Sequence, residues 1–566
     1  MDLIARVFQS VASHVVLLLV VLPAFGAILV RMMRRAGFES VYYTAVTNAW
    51  TGLVLAVVML GCFLSGAFAA QDEPLPQDRL VSSIPWHGEL VPAVTETEVV
   101  DGQVKVVRFG PNIRFAVGVS GVSVWLITLT VGVTVVFIQS FSPKDDRLVL
   151  RLSWILLTEA ALIGTLAALD VVLLPFCSLL SVVGLSILIG EFGGPRRREA
   201  ARRFFIGQLA SGMLLMLGLV GLAISHWWMQ VSDFNQSPDM TFSLRAIVGQ
   251  IPFYSTGSEP ALDFWNTLAP WLFLILCGGV FLRLPIPPLH HGWLRAAEHT
   301  DPRVAALIAV GYLPATLHIL LRVVMPIFAE QSIDLGYRLL LWGTAAGTAL
   351  ALVAASTTSR PRRLAAIGLS ISTIALMSSF TSLPPISHGA ALLTIGTASA
   401  LALALLSPRA DTLNELSSTE KQSENFRSCR KALSSLPALS LAMLPPTAGF
   451  WGALLIIEGL FPYAPQITTV ILVTFAVLGW TLWDEISRPN DVVRSPTADP
   501  AKPACGAVTL IPIAAVLVCI SLFPTSVLSH IASPSLESEK SASLSPDSES
   551  TSAENRNGRF QVRPSK

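Results

Sequence analysis

Charge is scarce in this chain. Only 13 % of its 566 residues are Asp, Glu, Lys or Arg, roughly half the usual share for a soluble globular domain. Cysteine is scarcer still. Cys62, Cys177, Cys277, Cys429, Cys505 and Cys519 show no metal-ligand or redox spacing, and most lie in apolar runs. They read as small buried hydrophobes, which excludes a disulfide scaffold. No Gly-rich phosphate loop, Ser/His/Asp set or His/Cys metal cluster is visible. His290 and His291 are adjacent, and adjacent residues do not share a helical face. With His299 they make at best a weak metal site. The net charge of +1 gives no reason to expect nucleic acid.

What the chain has in abundance is apolar surface. Hydrophobic residues make up 52 % and the mean hydropathy is +0.63. That excludes a disordered chain and most soluble enzymes. It points to a protein whose solvent is mostly the lipid bilayer. A hydrocarbon core needs about 20 apolar residues per helix, and about 14 such runs can be drawn. Their approximate limits are 13–30, 45–68, 115–140, 149–169, 171–190, 204–229, 265–284, 303–328, 335–357, 364–382, 387–407, 436–460, 465–483 and 505–528. Lipid offers no partner for open backbone, so each run is expected to be helical, in an all-α, polytopic membrane protein.

Loop charge sets the expected orientation. The basic cluster Arg31, Arg34, Arg35 follows the first run, and Arg196, Arg197, Arg198, Arg202, Arg203 and Arg360, Arg362, Arg363 fall in other odd-numbered loops. The N-terminus and even-numbered loops hold only Arg6, Arg79, Lys105, Arg108, Arg114, Arg245 and Arg338. This asymmetry predicts a multi-pass protein of the cell membrane with both termini outside. Residues 71–113 are acidic and are expected to form a short external cap. The loop 408–434 is a polar link. Residues 530–566, rich in Ser, Glu and Lys, are expected to be disordered.

Proline interrupts two runs. One reaches Arg283-Leu284-Pro285-Ile286-Pro287-Pro288, and another holds Leu444-Pro445-Pro446-Thr447-Ala448-Gly449. Broken helices at matching places in two halves point to an ion pathway; a packing kink is the plainer alternative. Ionisable residues inside apolar runs are costly and mark sites. They are Glu159, Arg283, His318, Arg322 and Glu458. Glu159, near mid-helix, is the least expected charge. His318 and Arg322 are one turn apart on one face. Asp170, Asp484 and Glu485 sit at helix ends and read as interfacial.

These residues carry a resemblance. Gly118 to Leu126 resembles the G-x-D-G-x-S-x-x-L segment of the proton-pumping membrane subunits of complex I, the NADH–quinone oxidoreductase. Leu169-Asp170, Gly193 to Phe205, Arg283 to His290, Leu320-Leu321-Arg322, Pro326 to Glu330 and Leu444 to Gly452 resemble further family segments, in the family's order. The Gly193–Phe205 form is most similar to the subunit M branch; antiporter and hydrogenase membrane subunits share the fold. The resemblance implies two inverted five-helix repeats, each with a broken helix. The expected segments are 1–114, 115–148 (third helix), 149–334 (first repeat), 335–490 (second repeat), 491–529 (last helix) and 530–566 (tail). It implies partner membrane subunits, with flavin and iron–sulfur clusters in other chains. No redox cofactor is expected here, since no cluster-binding cysteine pattern is present. Where the family carries Glu, Lys, Lys and Glu, this chain has Leu179, Arg283, Ala315 and Ala453. Ala398 stands near the family's His and Ser120 in place of its Asp. The scaffold is kept, and most of the proton-handling side chains are replaced.

Overall fold

The computed structural model describes residues 14–65, 79–85, 94–100, 103–109, 114–143, 145, 147–232, 241–254, 259–381, 383–407, 435–487 and 510–529. The 408–434 link, the 530–566 tail and parts of the 71–113 cap lie outside the described residues.

The helices are α1 (Val15–Met32), α2 (Phe38–Leu64), α3 (Ser123–Gln139), α4 (Leu148–Ala167), α5 (Leu173–Phe192), α6 (Arg197–Ser232) and α7 (Leu244–Tyr254). Next come α8 (Glu259–Arg283), α9 (His290–Glu298), α10 (Pro302–Ile327), α11 (Ala329–Ser356), α12 (Arg360–Ser379) and α13 (Pro384–Leu406). The last are α14 (435–441), α15 (Ala448–Leu460), α16 (Pro465–Ser487), α17 (Ile511–Leu522) and the short α18 (Pro524–Leu528). Ten helices among the described residues are long and apolar enough to cross a membrane. Three more, α3, α15 and α17, are apolar but shorter. Length and composition therefore support ten spans, and fourteen remains an expectation.

Four short strands accompany the helices. β1 (Arg79–Pro85) pairs antiparallel with β4 (Arg114–Val119), from Arg79 opposite Val119 to Pro85 opposite Arg114. β2 (Val94–Val100) pairs with β3 (Gln103–Phe109), Val94 opposite Phe109. A bridge between Val117 and Ala168 ties β4 to the end of α4.

Burial sorts the helices into an inner set and an outer ring. α3 and α13 are apolar on every side, and nearly every residue of each is buried, the pattern of a helix surrounded by protein. Outer helices are buried on one face only. Their other face leaves Phe25, Ile206, Leu217, Trp271, Leu352 and Trp480 between 57 % and 73 % exposed. A soluble monomer rarely shows so much apolar surface, whereas acyl chains cover it without cost.

Inside the bundle, small residues set the spacing, because lipid supplies no hydrophobic drive for helices to associate. A Cβ on Gly452 of α15 would lie 2.5 Å from the backbone nitrogen of Leu393 on α13. The two backbones are in direct contact there. α10 departs from a regular helix, with π-helical stretches at Ile308–Tyr312 and Leu320–Val324. Such stretches often occur at functional sites.

Candidate functional site: the first helix break and its charge network

α8 ends at Arg283, and the chain turns through Leu284–Leu289 before α9 begins at His290. Pro285, Pro287 and Pro288 cannot donate backbone hydrogen bonds, so a helix cannot run through them. The Pro287–Pro288 bond is cis. Pro285 is buried, Pro287 partly buried and Pro288 exposed. Arg283 is fully buried. It occupies the last turn of α8, where the carbonyl ends of the helix favour a cation.

Three helices converge on this guanidinium. Nη1 donates to Ser178 Oγ of α5 at 2.5 Å. The Tyr312 ring of α10 lies under it, 3.9 Å from Cζ to the centroid, within cation–π range. The Tyr312 hydroxyl donates to Gln208 Oε1 of α6 at 2.8 Å. Arg283 Nε and Nη2 have no hydrogen-bond partner among the described residues. The site is a buried cation held by the Ser178 hydroxyl and by the π face of a phenol that Gln208 anchors.

No carboxylate among the described residues completes it. Glu159 is the candidate carboxylate, since a buried cation draws in an acidic partner. It is 2 % exposed on α4 and faces protein, yet its Oε2 has no hydrogen-bond partner among the described residues and no ion pair there joins it to Arg283. Glu159 shares a helical face with Leu162 and Leu166 by the 3.6-residue repeat. Leu162 packs on Gly311 of α10, and the Leu166 backbone meets His318. That face is turned to α10.

His318 and Arg322 do come together. Arg322 Nη1 donates to His318 Nε2 at 3.4 Å, across one turn of α10. His318 is buried and Arg322 partly so. Glu458 is exposed near the end of α15. Asp170 is 1 % exposed and sits just before α5, accepting from the backbone N–H groups of Val172 at 2.7 Å and Leu173 at 3.2 Å. The side chains of Asp484 and Glu485 are outside the described residues. His290 and His291 stack at 4.1 Å between centroids, one buried and one exposed. No metal-holding group of His, Cys, Asp and Glu occurs among the described residues.

The second break, between α14 and α15, is built differently. Pro445–Pro446 is also cis, Met443 adopts φ 54°, and both prolines are exposed. Thr447 caps α15, its Oγ1 accepting from Phe450 N at 3.4 Å. Ser521 of α17 closes the gap: its Oγ accepts from Ala448 N at 2.9 Å, and its carbonyl accepts from Trp451 Nε1 at 3.2 Å. Ala453 is buried there with nothing to titrate. Ala315 and Ala398 are likewise buried, and Leu179 packs toward Gly212 of α6. The charged break and the uncharged break are thus not equivalent.

Sequence reasoning missed Ser178, Gln208 and Tyr312. Their shared signal is a polar atom on an uncharged side chain inside an apolar run.

Similarity to known proteins follows the same lines. A family profile described as NADH:quinone oxidoreductase/Mrp antiporter, transmembrane, matches residues 168–479. NADH-quinone oxidoreductase subunit M of Escherichia coli K12 is 25 % identical over 472 residues, covering 80 % of this chain and 82 % of that protein. F(420)H(2) dehydrogenase subunit M of Methanosarcina mazei is 28 % identical over 201 residues, 35 % of this chain and 37 % of its own length. Among solved structures, a chain of respiratory complex I from Thermus thermophilus superposes with a TM-score of 0.65 at 18 % identity, covering 91 % of this chain and 98 % of that one. A chain of the Mrp complex from Dietzia gives 0.63 at 16 %, covering 92 % of this chain and 52 % of that one.

Proposed function

Since the chain belongs to the NADH:quinone oxidoreductase/Mrp antiporter membrane family, we propose that it is a membrane-arm subunit of an NADH–quinone oxidoreductase. Electron transfer from NADH to quinone, with its flavin and iron–sulfur clusters, takes place in partner subunits, and this chain belongs to the part that couples it to proton translocation. The observation that carries the reading is the family match spanning both helix breaks. A relative named NADH-quinone oxidoreductase subunit M, matched over 82 % of its own length, supports the complex I reading.

A second reading rests on Arg283. A proton relay needs groups that gain and lose protons near working pH, and arginine holds its proton. The first break therefore carries a fixed charge, seated on Ser178 and Tyr312. In this reading the subunit transmits or supports motion in the membrane arm without passing protons through the family's route.

Purification from the native membrane, with identification of the co-purifying subunits, tests the first reading. Flavin- and cluster-bearing chains are expected, and co-purification with antiporter subunits alone overturns it. Proton yield per electron pair tests the second. Loss of one subunit's share relative to a complex with titratable residues here supports a fixed charge, and a full share overturns it.

A further inference from the structure

A groove of about 660 Å³ lies outside the first break, between α6 and the α8–α9 turn, a volume in the range of ligand pockets. Its floor is apolar: Phe204, Gly207, Leu282, Pro285 and Trp293. Ile206 and Leu289 beside it are 60 % and 55 % exposed, so the groove opens onto the lipid-facing surface. Gly207 and Gly292 keep it open, since a Cβ built on either meets nothing within 4 Å.

One end is basic. Arg203 and Arg295 line the groove and also a smaller cleft of about 190 Å³, where Arg196 and Arg362 join them against Glu199 and Glu298. Arg203 pairs with Glu199. Arg295 is exposed and takes part in no ion pair among the described residues. The other end reaches Gln208, the amide that anchors Tyr312 beneath Arg283.

We propose that this groove is a site for an anionic glycerophospholipid, its acyl chain on the Phe204–Trp293 floor and its phosphate at Arg203 and Arg295. Charge complementarity identifies the occupant. Arginines at the basic ends of spanning helices meet anionic headgroups at the membrane surface, and their stems reach along apolar surface to do so. A soluble anion has no use for the apolar floor. The bound chain would brace the α6 wall that holds Gln208, and through it the phenol under Arg283.

The test uses the full chain in whatever complex it purifies with. The protein is delipidated in mild detergent, mixed with equal amounts of phosphatidylglycerol and phosphatidylcholine, re-isolated, and its lipid quantified by mass spectrometry. The native protein should retain phosphatidylglycerol over phosphatidylcholine by about tenfold, and Arg203→Gln with Arg295→Gln should bring that ratio near unity. Gly207→Leu fills the groove and should lower retention of both lipids. Arg295→Gln alone, which breaks no ion pair, covers the case in which the double variant fails to fold. Equal retention of the two lipids by the native protein overturns the proposal. So does unchanged retention in Gly207→Leu, or release of a partner subunit by that variant with lipid content unaltered, which would place a protein helix in the groove.

Discussion

Arg283 is the residue on which the chemistry of this chain turns. Removing one member of a buried ion pair is costly because the other charge is stranded. Here no carboxylate among the described residues is stranded: Ser178 and the Tyr312 ring are neutral. Arg283→Leu should therefore cost folding and assembly no more than about 1 kcal/mol, the centre of the range for point substitutions. Thermal melting of the purified complex checks this, and a loss of several degrees would reveal an acidic partner. Arg283→Lys restores a group able to titrate, and a gain in proton yield from it alone would show that the native charge is fixed. Glu159 is the complementary case. Its Oε2 has no partner among the described residues, so Glu159→Gln, matched in shape, should change the melting temperature little, while a fall in proton yield would assign it a relay role. The charged members of this site were legible in the sequence because a charge in an apolar run is costly and rare. Ser178, Gln208 and Tyr312 were not, since hydroxyls and amides occur in spanning helices for many reasons, including bonds to their own backbone such as that of Thr130 to Leu126. Only the packing of α5, α6 and α10 around Arg283 selects these three.

At the scale of the element, helix ends and helix contacts hold the breaks in place. Asp170 satisfies the N–H groups of Val172 and Leu173 at the start of α5, while its neighbours bind the start of α7, Val171 N to Phe242 O and Leu244 N to Leu169 O. Asp170→Ala should cost about 1–2 kcal/mol, the usual loss for an N-cap, and Asp170→Asn should recover most of it. Denaturation monitored by circular dichroism in detergent reads the difference; no loss in the alanine variant would mean water replaces the cap. The α13–α15 contact is the tighter constraint. Gly452 has no room for a methyl group against the Leu393 backbone, so Gly452→Ala must separate the helices and should cost about 1–3 kcal/mol, as overpacking does. A native melting temperature for that variant would show that α15 shifts freely beside the second break. Proline made both breaks readable in advance. The clasp of Ser521 across to Ala448 and Trp451 was not readable, because the residues are about 70 positions apart and nothing local links them.

For the whole molecule, most of the architecture could be read from hydropathy alone, because a bilayer demands long apolar helices and little else satisfies their backbone. Within the described residues the apolar runs fall on helices, except that the run at 115–140 opens as strand β4 and the run at 436–460 is broken at Pro445 and Pro446. Short or Ser-rich helices are where the reading weakens: α3, α15 and α17 are apolar but brief, and α12 opens with Arg360, Arg362 and Arg363. The two β-ribbons escaped because hydropathy windows suited to spans ignore strands of six or seven residues. Orientation rests on loop charge, and the structure gathers that charge in one place. Arg196, Arg203, Arg295 and Arg362, from three different loops of the sequence, line a single cleft. Basic residues collect on the cytoplasmic side, so this cleft should face the cytoplasm, and the β1–β4 ribbon at the far end of α4 should face outward. Single cysteines placed at Arg198 and at Val81, in a background lacking the native cysteines, provide the measurement. A membrane-impermeant maleimide added to intact cells should label the Val81 position and spare the Arg198 position until the cells are opened. Labelling of both positions at once would mean an even number of spans between them, and with it a different pairing of every helix in the first half of the chain.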